Sequence, residues 1–263
     1  MLELAILCLL TGVLAGFLAG LFGVGGGLLL VPVLVTVYEM QQFDSSIHMQ
    51  LALGTSLCTI IVNGMSSVLA HHRRGAVDWA IVQQLGFGLV LGAMLGAQLA
   101  SSVPSAVLKT AFGVGELLVA LRLWMASQPK PSRSLPSAVG MTAAGGVIGT
   151  ISAMAGIGGG TLTVPFLSWC NVQMQRAVAV SSACGIPIAV AGATGYMISG
   201  WGNELLPEWS TGYVYWPAAL AVMATGIFMA PVGAKVAHRL PGDKLKKAFA
   251  VLLAVLGVRM LFF

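Results

Sequence analysis

The chain has 263 residues, of which 57% are hydrophobic and only 8% charged. Soluble domains carry about 25% charged residues, so a water-exposed globule is excluded and a protein embedded in the lipid bilayer is expected. The net charge of +5 sits in the breaks between apolar runs, with no basic stripe interleaved with aromatics, which argues against nucleic acid as a partner.

Eight stretches approach the roughly 20 apolar residues that a helix needs to cross a hydrocarbon core about 30 Å thick. The first, 2–22, opens with Glu3 and with no Lys or Arg, unlike the basic start of a signal peptide, and is expected to be mature structure. It runs into Gly23-Val-Gly-Gly-Gly27 and a short apolar piece, 28–38. An acidic loop with Glu39 and Asp44 leads to a span at 48–70, which contains Ala52-Leu-Gly-Thr-Ser56 and a mid-span Asn63. After His71-His-Arg-Arg74 come spans at 77–100 and 105–127, the latter holding Glu116 and, near its end, Arg122. The segment Ser127–Ser137, SQPKPSRSLPS, has the prolines and basic residues of a linker. The expected division is a first transmembrane repeat at 1–127, a linker at 128–136 and a second repeat at 137–263. The second half opens with a span at 137–156, then Gly156-Ile-Gly-Gly-Gly160 and a short apolar piece at 161–170. Spans at 177–199, 213–237 and 244–263 complete it. Arg122 and Arg259 are expected to snorkel to the interface, where Trp79, Trp201, Trp209 and Trp216 form aromatic belts.

The halves repeat one another. Gly23–Gly27 with Pro32 matches Gly156–Gly160 with Pro165 at a single offset. Ala52–Ser56 is echoed by Ala179-Val-Ser-Ser-Ala183, and Gly96 through Pro104 by Gly233 through Pro241. Both copies continue to Leu-Lys-x-Ala-Phe, at 108–112 and 245–249. Ordered internal repeats of this kind mark transporters.

Charge gives the orientation. Lys and Arg gather in cytoplasmic loops, which places 71–74, the linker with Lys130 and Arg133, and His238–Lys247 inside. The acidic loops 39–46 and 200–213 then lie outside. Equivalent loops of the two halves carry opposite charge bias, so the repeats are expected to be inverted in the membrane. An inverted repeat needs an odd number of crossings, which follows if each glycine cluster turns a hairpin that begins and ends on the same side. The fold class is therefore all-α polytopic membrane protein, with two inverted-topology repeats, each a broken or short-helix hairpin plus three transmembrane helices. Both termini are expected outside.

Non-helical backbone inside a bilayer is tolerated only where it is buried in protein or lines a cavity. A short helix starting after Gly27 or Gly160 would aim free N–H groups and its positive end at such a cavity, binding an anion without Lys or Arg. The bland alternative is that the glycines only permit tight packing; two copies, each followed by a half-helix and a proline, favour the site. The candidate substrate-binding residues are Gly25, Gly26, Gly27, Thr55, Ser56, Gly158, Gly159, Gly160, Thr161, Ser181 and Ser182, with Thr163 beside them. For the hydroxyls, the competing role is hydrogen bonding between or within helices, and Asn63 is read as glue between helices. Glu116, an acid deep in a span, is the proton-coupling candidate, with a structural or lipid-edge role as the alternative. Cys8, Cys58, Cys170 and Cys184 lack metal-ligand spacing. No catalytic constellation, metal site or cofactor motif is visible, so an enzyme is not expected.

The Gly-x-Gly-Gly-Gly-x-x-x-x-Pro element at 23–32 and 156–165, Ala-x-Gly-Thr-Ser at 52–56, and the late Gly-Ala…Pro…Leu-Lys-x-Ala-Phe stretch in each half resemble the sulfite exporter TauE/SafE family, also called the 4-toluene sulfonate uptake permease family. The resemblance covers essentially the whole chain. It implies a bacterial cytoplasmic (inner) membrane permease for sulfite, sulfonates, sulfoacetate or related small anions. The second copy departs from Gly-Thr-Ser, reading Ser181-Ser182-Ala183. The alternative is a non-transporting membrane assembly or chaperone subunit.

Overall fold

The computed structural model describes residues 2–23, 25–125, 134–237 and 242–262. Most of the linker, with Lys130 and Arg133, and the basic residues His238 and Arg239 lie outside the described residues. In chain order the helices are α1 (Leu2–Phe22), α2 (Gly27–Met40), α3 (His48–His72), α4 (Trp79–Ser102), α5 (Ser105–Trp124), α6 (Ala138–Met154), α7 (Gly160–Trp169), α8 (Met174–Ser199), α9 (Trp216–Ala237) and α10 (Gly242–Phe262). A small hairpin, β1 (Ser210–Thr211) and β2 (Val214–Tyr215), precedes α9. Helices α3, α4, α8 and α9 are long and apolar enough to cross a membrane by length and composition, and shorter apolar helices accompany them. The chain is an all-α polytopic membrane protein.

Two details differ from the sequence reading. The apolar run at 213–237 does not start as helix: Val214 and Tyr215 pair with Thr211 and Ser210 across a turn in which Gly212 takes φ 52, and the helix begins at Trp216. Hydrophobicity alone cannot separate a short strand from a helix start. The first short helix is also longer than its apolar run, because Glu39 and Met40 carry α2 to 14 residues before Gln42 turns it at φ 58. Its counterpart α7 has 10 residues, about 15 Å at the usual rise and half of a bilayer core.

Without a hydrophobic drive between helices in lipid, close packing needs small residues at the contact. α1 presents Gly12, Gly16 and Gly20 to α9, where a methyl at Gly16 would strike the Gly226 backbone. α4 presents Gly88, Gly92 and Gly96 to α6, and a methyl at Gly92 would strike the Gly146 carbonyl. Both pairs run parallel, since later residues of one helix meet later residues of the other.

α3 and α8 form the buried centre and run antiparallel. Gly54 approaches Tyr196, Leu57 approaches Gly192, and Ser67 meets Ser182. α5 and α10 also run antiparallel, with Gly113 against Leu261 and Lys247 over the Trp124 ring at 5.9 Å.

These directions define two ends. At one, Glu39 closes on Lys109 at 2.9 Å, and Gln50 donates to the Val103 carbonyl at 2.8 Å, which joins the starts of α3 and α5 to the end of α2. The β-hairpin sits at this end, where Tyr215 N–H donates to Thr55 and the rings of Tyr38, Phe43 and Tyr215 cluster. At the other end, Arg74 donates to the Ala234 carbonyl at 2.8 Å and Arg176 pairs with Asp78 at 3.3 Å. That exposed pair contributes about 0–1 kcal/mol, but it fixes α7–α8 and α3–α4 at one level. α2 therefore ends at the first end and α7 at the second.

Candidate functional site

The two glycine turns touch. A methyl at Gly25 would stand 3.0 Å from the Gly158 Cα, and one at Gly27 would strike the Gly156 carbonyl oxygen. Hairpin α1–α2 enters from one end, hairpin α6–α7 from the other, and their tips meet inside the bundle. Every described glycine of the two turns is buried. Gly26 and Gly159, the N-caps of α2 and α7, both take left-handed φ 80. An L side chain there costs about 1–2 kcal/mol in backbone strain, so these two positions require glycine. Direct contact also leaves no room between the two turns at Gly25 and Gly27.

Neither N-cap has a side-chain hydrogen bond. In the second turn, Leu162 and Thr163 N–H close on the Gly159 carbonyl at 3.1 and 2.8 Å, and among the described residues no acceptor takes the N–H groups of Gly158, Gly159, Gly160 or Thr161. Such a run of free amides at a helix start is an anion cradle. Three hydroxyls flank it without a protein partner: Ser152 on α6, and Thr161 and Thr163 on α7. An ideal Cβ on Gly159 would fall 2.6 Å from Ile188 Cδ1, 3.4 Å from Thr163 Oγ1 and 3.8 Å from Ser152 Oγ, so two of them lie beside Gly159 together with an apolar side chain. Ser152 and Thr163 are fully buried. Sequence reasoning missed Ser152; its only signal is a lone hydroxyl four residues before the glycine cluster, on the face of α6 that returns to α7.

The other candidate hydroxyls hold the turns. Ser56 donates to the Gly156 carbonyl at 2.8 Å, and Ser181 to the Gly23 carbonyl at 3.2 Å, so each central helix clasps the turn of the opposite half. Thr55 accepts from the Tyr38 hydroxyl and from Tyr215 N–H at 3.2 and 3.0 Å. Ser182 donates to the Val178 carbonyl at 3.1 Å and lies 3.5 Å from Ser67.

Glu116 is buried on α5, against Gly257 of α10, and neither carboxylate oxygen has a protein partner among the described residues. Asn63 is also buried with its carboxamide unpartnered. No hydrogen bond joins it to a neighbouring helix, so the expected glue role has no bond to carry it. No cluster of three or more potential metal ligands occurs among the described residues.

The sequence profile of the family described as sulfite exporter TauE/SafE matches residues 8–260. A probable membrane transporter protein of Haemophilus influenzae is 37% identical, over 99% of both chains. One from Methanocaldococcus jannaschii is 28% identical over 97% of this chain and 94% of its own. Another from Bacillus subtilis is 26% identical over 98% and 97%. No solved structure matches significantly.

Proposed function

Because the chain belongs to the sulfite exporter TauE/SafE family and is a membrane transporter, we propose that it is a secondary permease for a small sulfur-containing or organic anion such as sulfite, a sulfonate or sulfoacetate. The observation that carries the reading is the second glycine turn: free amides from Gly158 to Thr161, with the unpartnered Ser152 and Thr163 hydroxyls beside Gly159. Amide and hydroxyl donors suit tetrahedral or pyramidal oxyanions, and they hold charge without a buried cation that would bind too tightly to release. The first turn, from Gly25 to Gly27, supplies the opposing helix start.

Residues 1–127 and 137–263 act as inverted repeats. The antiparallel α3–α8 and α5–α10 pairs and the matched α1–α9 and α4–α6 contacts support this exchange. Access alternates when one half rocks against the other, which opens the apposed turns first to one side and then to the other. The end carrying Arg73, Arg74, Arg176, Lys235 and Lys247 faces the cytoplasm by the charge rule, in a bacterial inner membrane, with both termini periplasmic. Glu116 couples transport to protons: an ionisable residue in a span is a functional-site hypothesis by default, and this carboxyl has no protein partner among the described residues.

Purified protein in liposomes should accumulate labelled sulfite or sulfoacetate, with a rate that depends on the pH gradient. Glu116→Gln should retain downhill exchange and lose that pH dependence. No flux and no binding across sulfite, sulfonates and small carboxylates would overturn the permease reading; an unchanged pH dependence in the variant would remove Glu116 from coupling.

A further inference from the structure

One helix face carries polar side chains where lipid-buried helices avoid them. On α3, Thr55, Thr59, Asn63, Ser67 and His71 recur at every fourth position, and all five are buried. Residues four apart are surface neighbours on a helix, about 5–6 Å between Cβ atoms, so the stripe runs nearly the length of the span. Four members have protein partners. Thr55 accepts from Tyr38 and Tyr215, Thr59 donates to the Ser56 carbonyl at 2.7 Å, Ser67 meets Ser182, and a ring nitrogen of His71 lies 3.2 Å from the Gly20 carbonyl. Asn63, in the middle, is fully buried, and both ends of its carboxamide lack a protein partner.

The surroundings make room for that carboxamide. Gly226 of α9 faces it, and a methyl there would fall 2.5 Å from Nδ2 and 2.6 Å from Oδ1. One turn before Asn63, Ile60 reaches the first glycine turn, its Cδ1 3.2 Å from where a methyl on Gly25 would sit. One turn after it, the Ser67–Ser182 pair abuts Gly23, whose Cβ position lies 3.0 Å from Ser182 Oγ. Asn63 thus lies on α3 between Ile60 and Ser67, whose contacts lead to the first turn, with its carboxamide against Gly226 of α9.

We propose that Asn63 is a substrate-binding residue that holds the translocating oxyanion through its carboxamide N–H groups at the flank of the first glycine turn. The proposal rests on the anion-permease reading and extends it. With the two turns in backbone contact, one small ion cannot engage both cradles from a single position. The Asn63 seat supplies the second position, along a polar face that leads from the turns to His71 at the basic end. A carboxamide suits transfer better than a lysine would: it donates to the oxyanion without a full charge to trap it.

The test is transport kinetics and thermal unfolding of purified Asn63→Ala in parallel with wild type and with the double variant Ser152→Ala, Thr163→Val, using labelled sulfite and sulfoacetate. Loss of a hydrogen bond to a charged ligand raises KM by on the order of tenfold or more. Removal of a buried amide without protein partners leaves Tm unchanged or higher. The opposite split, a lower Tm with unchanged KM, would assign Asn63 to packing and overturn the proposal. If Asn63→Ala does not accumulate in membranes, Asn63→Ser, which keeps one donor, is read by the same split. A raised KM in the double variant with normal KM at position 63 defeats this inference alone. Normal KM in both would displace the anion site from the turns, and absence of wild-type flux and binding would overturn the permease reading with it.

Discussion

A buried hydroxyl left without an acceptor or donor costs about 1–3 kcal/mol, and the second glycine turn has two of them, Ser152 and Thr163, beside Gly159. Stability alone would favour Ala and Val at these positions. The proposed anion site accounts for their presence beside free amides. The double variant Ser152→Ala, Thr163→Val is therefore expected to unfold at an equal or higher temperature while its KM for sulfite or sulfoacetate rises about tenfold to a hundredfold, the range for hydrogen bonds to a charged group. A fall in Tm without a kinetic change would make the pair structural. At this scale the sequence was an uneven guide. The glycines that must adopt left-handed backbone, Gly26 and Gly159, stood out because the cluster occurs twice. The roles of Ser56 and Ser181 did not, because a hydroxyl early in a helix reads the same whether it faces a ligand or a carbonyl of the opposite half. Only the fold brings Gly156 and Gly23 to them.

The helices divide into those whose glycines are needed for contact and those whose glycines are merely tolerated. Gly92 of α4 lies against Gly146 of α6, backbone to backbone, and has no room for a side chain; Gly86, two turns earlier, has nothing within 4 Å of its Cβ position. Gly92→Val should push α4 off α6 and, as overpacking does, destabilise by about 1–3 kcal/mol, read as a lower Tm in detergent. Gly86→Ala should be neutral or stabilising by up to about 1 kcal/mol through helix propensity. Equal effects from the two substitutions would mean that the α4–α6 contact is not a tight one. The four-residue spacing of Gly88, Gly92 and Gly96 puts them on one helix face, but the sequence analysis did not single it out, and periodicity within one helix carries no information about which helix it meets. The short helices were legible for another reason: a glycine cluster opens each apolar run, which holds only about ten residues, while Pro32 and Pro165 lie inside the helices. The β-hairpin was hidden because Val214 and Tyr215 are as apolar as the helix they precede.

At the scale of the molecule, charge and direction agree. Arg73, Arg74 and Arg176 gather where α3 ends and α8 begins, and Glu39 and Asp44 where α2 ends and α3 begins. Glu204 and Glu208 lie in the loop after α8, at the same end as the hairpin beside Tyr38. A chain with parallel halves would bring the starts of α3 and α8 to the same end and mix the charges; the antiparallel centre keeps them apart. This separation was the part of the architecture most readable from sequence, because equivalent loops with opposite charge bias admit few arrangements other than inversion. By the charge rule it also predicts an orientation that can be checked without any substrate. All four native cysteines are buried, which gives a quiet background for single-site labelling. In intact cells, a membrane-impermeant maleimide should label Ser45→Cys and Leu205→Cys, while Ala76→Cys should react only after the membrane is permeabilised. Labelling of Ala76→Cys from outside, with Ser45→Cys protected, would reverse the molecule in the membrane. Labelling of Ser45→Cys and Ala76→Cys from the same side would break the antiparallel arrangement itself, and with it the meeting of two oppositely directed hairpins on which an anion cradle of this design depends.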